Sequence, residues 1–575
     1  MDRGTGRAGS VLTGLLVASL VAGGAEGQII NRFGVRIPAR DGVHLVANVW
    51  LPSAEGRHPT IVLRTPYDKT AQFRRYGLLK YLEAGYAVVL QDTRGRGDSE
   101  GRFDFYFPEG RDGYDTIEWV ARQPWSNGRV GTDGGSYLGT VQWLAAREQP
   151  PHLACIAPTA SSGRIFDEIP YLGGAFRLDW ALPWLHGVAG KVSQSELNDL
   201  IKWDSLAVQR PLVRQDSLMG RPLPLYQAML AHSTLDAYWR RIQFGPADFE
   251  RIRVPSLTVT GWYDGDQAGA LSYWDGLEQR GGADSHFLII GPWDHGGTYL
   301  GGKLKQGALD FDSSAIIKTQ AERIKYFDWC LKQATPRYDA PRVRVYLTGK
   351  NVWLTGDRYP LTGTVTKPLY LTSGGRANTL NGDGSLQWEV PAAAATDSFS
   401  YDPNRPVPAR PAAVDHRAIE ARPDVLVYTT AVANEPLAIV GRPVVKLWAA
   451  SDGLDTDFTA KLLDVFPDGR AVLLGPVPVA VRRARYRAGY ERTVLLTPGQ
   501  AEEFTIEFAD IGHSIEPGHR LRLEISSSAF PFIDANLNTG KNFATDRTAR
   551  TAMQTIFHGP ERSSRVLLPI FPAAR

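Results

Sequence analysis

From Phe33 to about Thr159 the chain repeats one pattern, a short apolar run followed by an amphipathic stretch. The runs are Thr60-Ile61-Val62-Leu63, Tyr86-Ala87-Val88-Val89-Leu90 and Leu153-Ala154-Cys155-Ile156-Ala157, with Asp115 to Arg122 and Tyr137 to Arg147 among the stretches between them. Runs this short, separated by helical periodicity, fit βα units and a mostly parallel sheet. An α/β core is therefore expected. Between about Phe166 and Phe249 the strand signal stops, and Ser193-Gln194-Ser195-Glu196 offers a capping box ahead of Leu197, Leu200 and Ile201. That segment reads as an all-helical insert capping the sheet. Strand signals return at Ser256-Leu257-Thr258-Val259-Thr260 and His286-Phe287-Leu288-Ile289-Ile290. Beyond roughly residue 350 alternating segments such as Arg520-Leu521-Arg522-Leu523-Glu524-Ile525 recur between turn residues, which predicts a β-sandwich.

The expected layout is a leader over residues 1–27, core over 28–165, cap over 166–249, core again over 250–350 and β-sandwich over 351–575. A length of 575 residues suits such a multidomain chain, and an aromatic share of 10% excludes disorder over most of it. With 64 Lys+Arg against 61 Asp+Glu and no long run of like charge, no nucleic-acid partner is expected. Cys155 and Cys330 alone cannot build a disulfide framework or a cysteine zinc site, and their spacing does not say whether they pair. No His-Glu-x-x-His pair occurs among the 11 histidines, so neither metal nor cofactor is expected. Arg3 and Arg7 before the apolar stretch Val11 to Gly23, with small residues following, have the order of a secretory signal cleaved near Ala25 to Gly27. The stretch is short for a membrane anchor, which needs about 20 residues. A secreted or periplasmic protein, free of the membrane after processing, is the expectation.

Candidate chemistry gathers just past three apolar runs. At Val130 to Gly139 a strand turns into a helix with Ser136 at the corner, flanked by Gly134, Gly135 and Gly139. A turn this sharp strains the serine and leaves its hydroxyl exposed, as in a nucleophile elbow, although Leu138 departs from the usual G-x-S-x-G and an ordinary βα turn also fits. Asp264 follows Val259 to Tyr263 and alone would pass for a helix cap or a loop acid. His295 follows the run ending Gly291-Pro292-Trp293-Asp294, on what reads as a rigid loop. The chain order Ser136, Asp264, His295 is that of α/β-hydrolases, and three such residues, each past its own strand, point to a nucleophile–base–acid triad. The backbone N–H of Tyr137 is one expected oxyanion donor. The hydroxyl of Tyr67, after Ile61 to Pro66, is either the second donor or a buried structural phenol.

These motifs, with Arg64-Thr65-Pro66-Tyr67 and Asp92-Thr93-Arg94-Gly95-Arg96-Gly97-Asp98-Ser99-Glu100-Gly101, resemble the family that includes cocaine esterase, α-amino acid ester hydrolases, glutaryl-cephalosporin acylases and X-Pro dipeptidyl peptidases. The resemblance runs from about Phe33 to the end, because Val445 to Ser451 and Asp455 to Leu462 look like the family's C-terminal jelly roll. It implies an α/β-hydrolase fold with a helical cap and a jelly roll, Ser136 as nucleophile, His295 as base, Asp264 as its orienting acid, and Tyr67 with the Tyr137 N–H as oxyanion hole. A small-molecule ester or amide is the implied substrate.

The informative departure is Asp264-Gly265-Asp266-Gln267. Within the family, cocaine esterase has an aromatic residue at the position of Asp266, and the amino-ester hydrolases have acids at the positions of both Asp266 and Gln267. Asp266 thus reads either as a receptor for a substrate ammonium or as the N-cap of the next helix. Phe166, Phe176, Trp180 and Trp184 either line an acyl pocket or form the cap's own core. The Arg94, Arg96, Asp98 and Glu100 loop reads as a structural salt-bridge network. Three functions compete: a secreted serine hydrolase of small acyl groups, a dipeptidyl or aminoacyl peptidase needing a receptor for a free amine, and a noncatalytic carbohydrate-binding protein. Homo-oligomerisation is left open by the sequence.

Overall fold

The computed structural model describes residues 28–280, 283–334 and 336–572, so the expected leader over residues 1–27 lies outside the described residues. The strand runs foreseen near the N-terminus join a ten-stranded sheet. Its strands, named by their first residues, lie in the spatial order 30, 44, 87, 58, 126, 153, 256, 286, 343 and 352. Neighbours are parallel from Ala87–Asp92 through Val343–Leu347, and antiparallel strands close both edges. The parallel strands Ala87–Asp92 and Ser256–Tyr263 are buried at every residue, as expected for a sheet covered on both faces. The sheet runs past residue 350 to end at Gly356, because Val352–Gly356 pairs back on Val343–Leu347.

The insert is not all helical. Tyr171–Leu172 and Ala175–Phe176 form a short antiparallel hairpin before the helix Leu178–Gly187. The capping box is also absent: Ser195–Leu200 is a 3₁₀ helix whose N-cap residue is Gln194, with no side-chain cap bond, and Leu200 stays 80% exposed. Two polar groups per turn outnumber the apolar ones there, so no buried face anchors a longer helix.

The last third forms a fourteen-stranded, hydrogen-bonded β network closed around Leu369, Phe399, Leu447, Phe458, Phe504 and Ile556, a C-terminal β-sandwich domain. Ala395–Tyr401 and Ala552–His558 alternate buried and open positions as a sandwich strand does. Arg520–Ser526 does not, since every residue after Arg520 is buried. Its polar members are paired inside: Arg522 with Glu420 at 2.7 Å, and Glu524 with His416 at 3.1 Å and Lys461 at 3.3 Å. Alternation in that strand sorts residues between an apolar core and a buried ionic layer, rather than between core and water.

A third apolar cluster, holding Trp262, Trp274, Tyr346, Val440 and Val472, packs the α/β sheet against the sandwich. Gln267 fastens the same junction, donating to the Asp510 carbonyl at 2.8 Å and accepting the Asp510 N–H at 2.9 Å. Cys155, on Leu153–Thr159, and Cys330, on the helix Thr319–Lys332, form a disulfide.

Candidate active site

Ser136 connects the strand Ser126–Gly135 to the helix Tyr137–Arg147 with φ 59° and ψ −127°. A non-glycine residue held there stores about 1–3 kcal/mol of strain, which the surrounding packing must sustain. Three glycines make that packing feasible. A Cβ on Gly134, itself at φ +130°, would lie 2.6 Å from Leu138 Cβ; one on Gly135 would lie 2.0 Å from the Tyr299 ring; one on Gly139 would lie 2.7 Å from the Thr159 carbonyl. The first glycine of the elbow therefore keeps its usual place at Gly134, and the second has moved one position on to Gly139, which leaves room for Leu138.

Asp264 follows the strand Ser256–Tyr263 and is fully buried. Its Oδ1 accepts from His295 Nδ1 at 2.7 Å and from the Asp266 N–H at 3.1 Å, and its Oδ2 accepts from Thr260 Oγ1 at 2.9 Å. The carboxylate is thereby locked in orientation, and the proton on Nδ1 leaves Nε2 as the free lone pair of a neutral imidazole. His295 is not on a loop: it opens the helix His295–Leu300 directly after the strand His286–Asp294, and Asp294 caps that helix through the Gly297 N–H. Burial opposes charge on this imidazole, but the Asp264 and Asp266 carboxylates outweigh it and raise its pKa to about 9.

Tyr67 lines the same site, where Trp184 Nε1 donates to its hydroxyl oxygen at 3.3 Å. Burial raises the Tyr67 pKa, against hydrogen bonds from Trp184 and Ser136, so the phenol keeps its proton as a donor. Tyr137 contributes differently along its length. Its phenol is anchored on the Phe105 carbonyl at 2.6 Å and Glu109 at 2.9 Å, whereas its N–H begins a helix and has no partner within that helix.

These groups face a cleft of about 890 Å³ lined by Tyr67, Ser136, Trp180, Trp184, Asp266 and His295, among others. Phe166 and Phe176 are not brought to it. Both are buried in the cap's core, Phe166 against Tyr171, Trp239 and Tyr490, and Phe176 against Tyr171, Tyr226 and Phe543. Trp180 and Trp184, one turn apart on Leu178–Gly187, stack at 5.1 Å and form the aromatic wall.

Asp266 is not a cap for the helix Gln267–Arg280. The N–H of Gly269, the natural target of such a cap, goes to Glu168 Oε1 at 2.7 Å, leaving the Asp266 carboxylate toward the cleft and 3.9 Å from His295 Nδ1. Burial and the neighbouring Asp264 push the Asp266 pKa up to about 6 against the pull of His295. Glu168, buried and also lining the cleft, is raised by burial and by Asp266. Gln267 is committed to Asp510 and does not reach substrate.

Three contributors escaped the sequence reading. Tyr299 Oη lies 3.0 Å from His295 Nε2, and its signal was available, because a tyrosine four residues after the histidine shares its face once a helix is recognised. Glu168 and Arg75 line the cleft from distant segments with no local motif to mark them. The arginine loop also differs from a pure ion-pair network. Arg94 pairs with Asp112 at 2.7 Å and Asp41 at 2.9 Å, but buried Arg96 bonds the carbonyls of Pro66 and Val188, each at 2.6 Å, and so fixes the backbone entering Tyr67. Its burial lowers the Arg96 pKa to about 10.

A family model described as X-Pro dipeptidyl-peptidase (S15 family) matches residues 41–297, and one for the X-Pro dipeptidyl-peptidase C-terminal non-catalytic domain matches residues 338–567. Cocaine esterase of Rhodococcus sp. (strain MB1 Bresler) is 34% identical over 586 residues, covering 95% of this chain and 99% of that protein. The chain belongs to the S15 family. Among solved structures similar to this S15 member, an aminopeptidase of a marine sediment Thaumarchaeota archaeon has TM-score 0.84 at 27% identity, covering 95% of this chain and 97% of its own. An α-amino acid ester hydrolase has TM-score 0.83 at 28% identity, covering 97% of this chain and 100% of its own. The S15 chain is thus a serine-hydrolase-type esterase or amidase acting on small acyl substrates, which sets aside the noncatalytic reading. Among the described residues no helix is long and apolar enough to cross a membrane.

Proposed function

We propose that Ser136 attacks the acyl carbon of a small ester or amide, that His295 takes its proton through Nε2, and that Asp264 holds the imidazole and balances the imidazolium. The tetrahedral oxyanion is received by the Tyr67 hydroxyl and the Tyr137 N–H. His295 then gives the proton to the leaving atom, and the acyl-Ser136 ester is opened by water in a second passage through the same steps. The observation that carries this reading is the strained Ser136 elbow facing, across one cleft, an imidazole whose Nδ1 is bonded to a buried carboxylate. Labelling with a fluorophosphonate and mapping the adduct tests it: attachment at Ser136, absent in Ser136→Ala, together with loss of p-nitrophenyl ester turnover in a folded variant, is the expected result. Turnover within about tenfold of the parent would remove Ser136 from the nucleophile role.

For the acyl group, the orientation of Asp266 favours substrates with an α-ammonium. An acid that does not cap its helix, placed beside Glu168 at the wall of the cleft, supplies the negative pole such a group needs. Cocaine esterase, by its name, acts on an ester, whereas the solved relatives are named for amino-ester and aminopeptide hydrolysis; the charged Asp266 aligns this chain with the latter. We also propose that the enzyme works outside the cytoplasm, a reading supported by the Cys155–Cys330 bridge and the charged, apolar, small-residue order of residues 1–27. Sequencing the N-terminus of protein recovered from culture medium or periplasm tests it.

A further inference from the structure

Four cationic side chains line the cleft, and three are already engaged. Lys69 is held between Asp92 and Asp98, Arg177 is forked on Asp179, and Lys191 sits on the Ser99 carbonyl. Among the described residues Arg75 has neither a carboxylate partner nor a side-chain hydrogen bond; its guanidinium lies over the Tyr299 ring, 5.1 Å from the centroid. Arg74, its neighbour in the last turn of the same helix, does not line the cleft, so a helix-end charge alone does not explain where Arg75 points. The ring beneath Arg75 is the one whose hydroxyl meets His295 Nε2 at 3.0 Å.

That position has a chemical meaning. His295 Nε2 must hand its proton to the leaving oxygen or nitrogen, so the departing group occupies the space beside Nε2, and substituents on it extend over Tyr299 toward Arg75. Asp266 lies at the opposite, Nδ1 edge of the same imidazole. Asp266 and Arg75 therefore approach the imidazole from its two edges, the carboxylate at Nδ1 and the guanidinium across the ring that meets Nε2.

Resting on the assignment of Ser136 and His295 above, we propose that Arg75 is a specificity-determining residue for the leaving group, selecting a departing alcohol or amine that carries a carboxylate. A planar guanidinium with its donors free matches a carboxylate bidentately, and stacking on Tyr299 holds the plane in place. Hydrolysis itself is unchanged: the acyl–oxygen or acyl–nitrogen bond breaks, the leaving atom receives the His295 proton, and the carboxylate departs with it.

The test compares 3-acetoxybenzoate with 3-acetoxybenzamide, esters whose leaving groups differ by a carboxylate against a neutral carboxamide. The parent enzyme is expected to favour the benzoate in kcat/KM, and the preference is expected to shrink with added salt. In Arg75→Gln the benzoate-to-benzamide ratio is expected to fall about fivefold or more, the scale of one open ion pair, with Arg75→Lys in between and Arg75→Glu lower still. A ratio that is the same in the parent and in all three variants overturns the proposal, as does a parent with no preference at any salt. If neither ester is turned over and no fluorophosphonate adduct forms at Ser136, the catalytic assignment fails with it; adduct formation with an unmoved ratio sinks the Arg75 assignment alone.

Discussion

Tyr299 Oη stands 3.0 Å from His295 Nε2, the nitrogen that accepts the Ser136 proton in the proposed mechanism, so in that mechanism the two hydroxyls have the same target. A neutral imidazole whose single N–H, at Nδ1, is donated to Asp264 offers one lone pair, and two hydroxyls cannot both donate to it. Tyr299→Phe is therefore expected to raise kcat/KM for a neutral ester by about two- to tenfold, the worth of one competing hydrogen bond. A fall of similar size would mean that Tyr299 passes the proton onward to the leaving group.

Tyr67→Phe keeps the ring against Trp184 and deletes the proposed oxyanion donor. Turnover is expected to drop about a hundredfold with little change in KM. An effect confined to KM would make the hydroxyl a ground-state contact.

The pH dependence follows from the two acids beside His295. Burial works against the imidazolium, but Asp264 and Asp266 prevail and bring its pKa to about 9 from the ordinary 6.5. A protonated imidazole cannot take the Ser136 proton, so kcat/KM is expected to climb with pH well above 6.5 and level off past the folded-state value. The same raised pKa stabilises the fold fully below about 6.5, and that contribution is lost as the pH rises through about 9. Asp266→Asn removes one of the two carboxylates and is expected to move the ascending limb to lower pH. A limb unmoved in the variant would show that Asp264 alone sets the value.

Asp266→Asn also tests the acyl preference. The kcat/KM ratio for phenylglycine methyl ester over phenylacetic acid methyl ester, measured where the amine is protonated, is expected to fall roughly tenfold, the scale of a charge-assisted hydrogen bond. Equal losses on the two esters would make Asp266 a support for the loop.

Gly135 and Tyr299 form a steric pair, because a Cβ at 135 would meet the Tyr299 ring at 2.0 Å. Gly135→Ala is expected to cost about 1–3 kcal/mol in denaturant unfolding, and Tyr299→Ala in the same chain is expected to recover most of it. Additive losses would place the strain in the elbow backbone.

Sequence carried the parts of this molecule that local rules govern. Ser136, Asp264 and His295 each end a run whose apolar period fixes a strand, so their convergence followed from the topology of a parallel sheet. What it missed depends on contacts between segments far apart in the chain. Nothing near Phe166 distinguishes it from Trp180, yet one packs on Tyr490 and the other faces the cleft. Asp266 has the position of a helix cap, and only the arrival of Glu168 at the Gly269 N–H from about a hundred residues away releases it. Arg522 and Glu524 look like solvent-facing positions until Glu420 and Lys461 are brought against them.

The bond between Cys155 and Cys330 closes a ring spanning 175 positions of sequence. Asp264, His295 and the entire cap lie inside that ring, and Ser136 lies outside it. A protease that nicks the exposed cap near Leu200 therefore cannot shed the half carrying Asp264 and His295: the severed pieces stay tethered to the half carrying Ser136 until a thiol reductant is added. Durability against nicking is thus built into the connectivity of the chain.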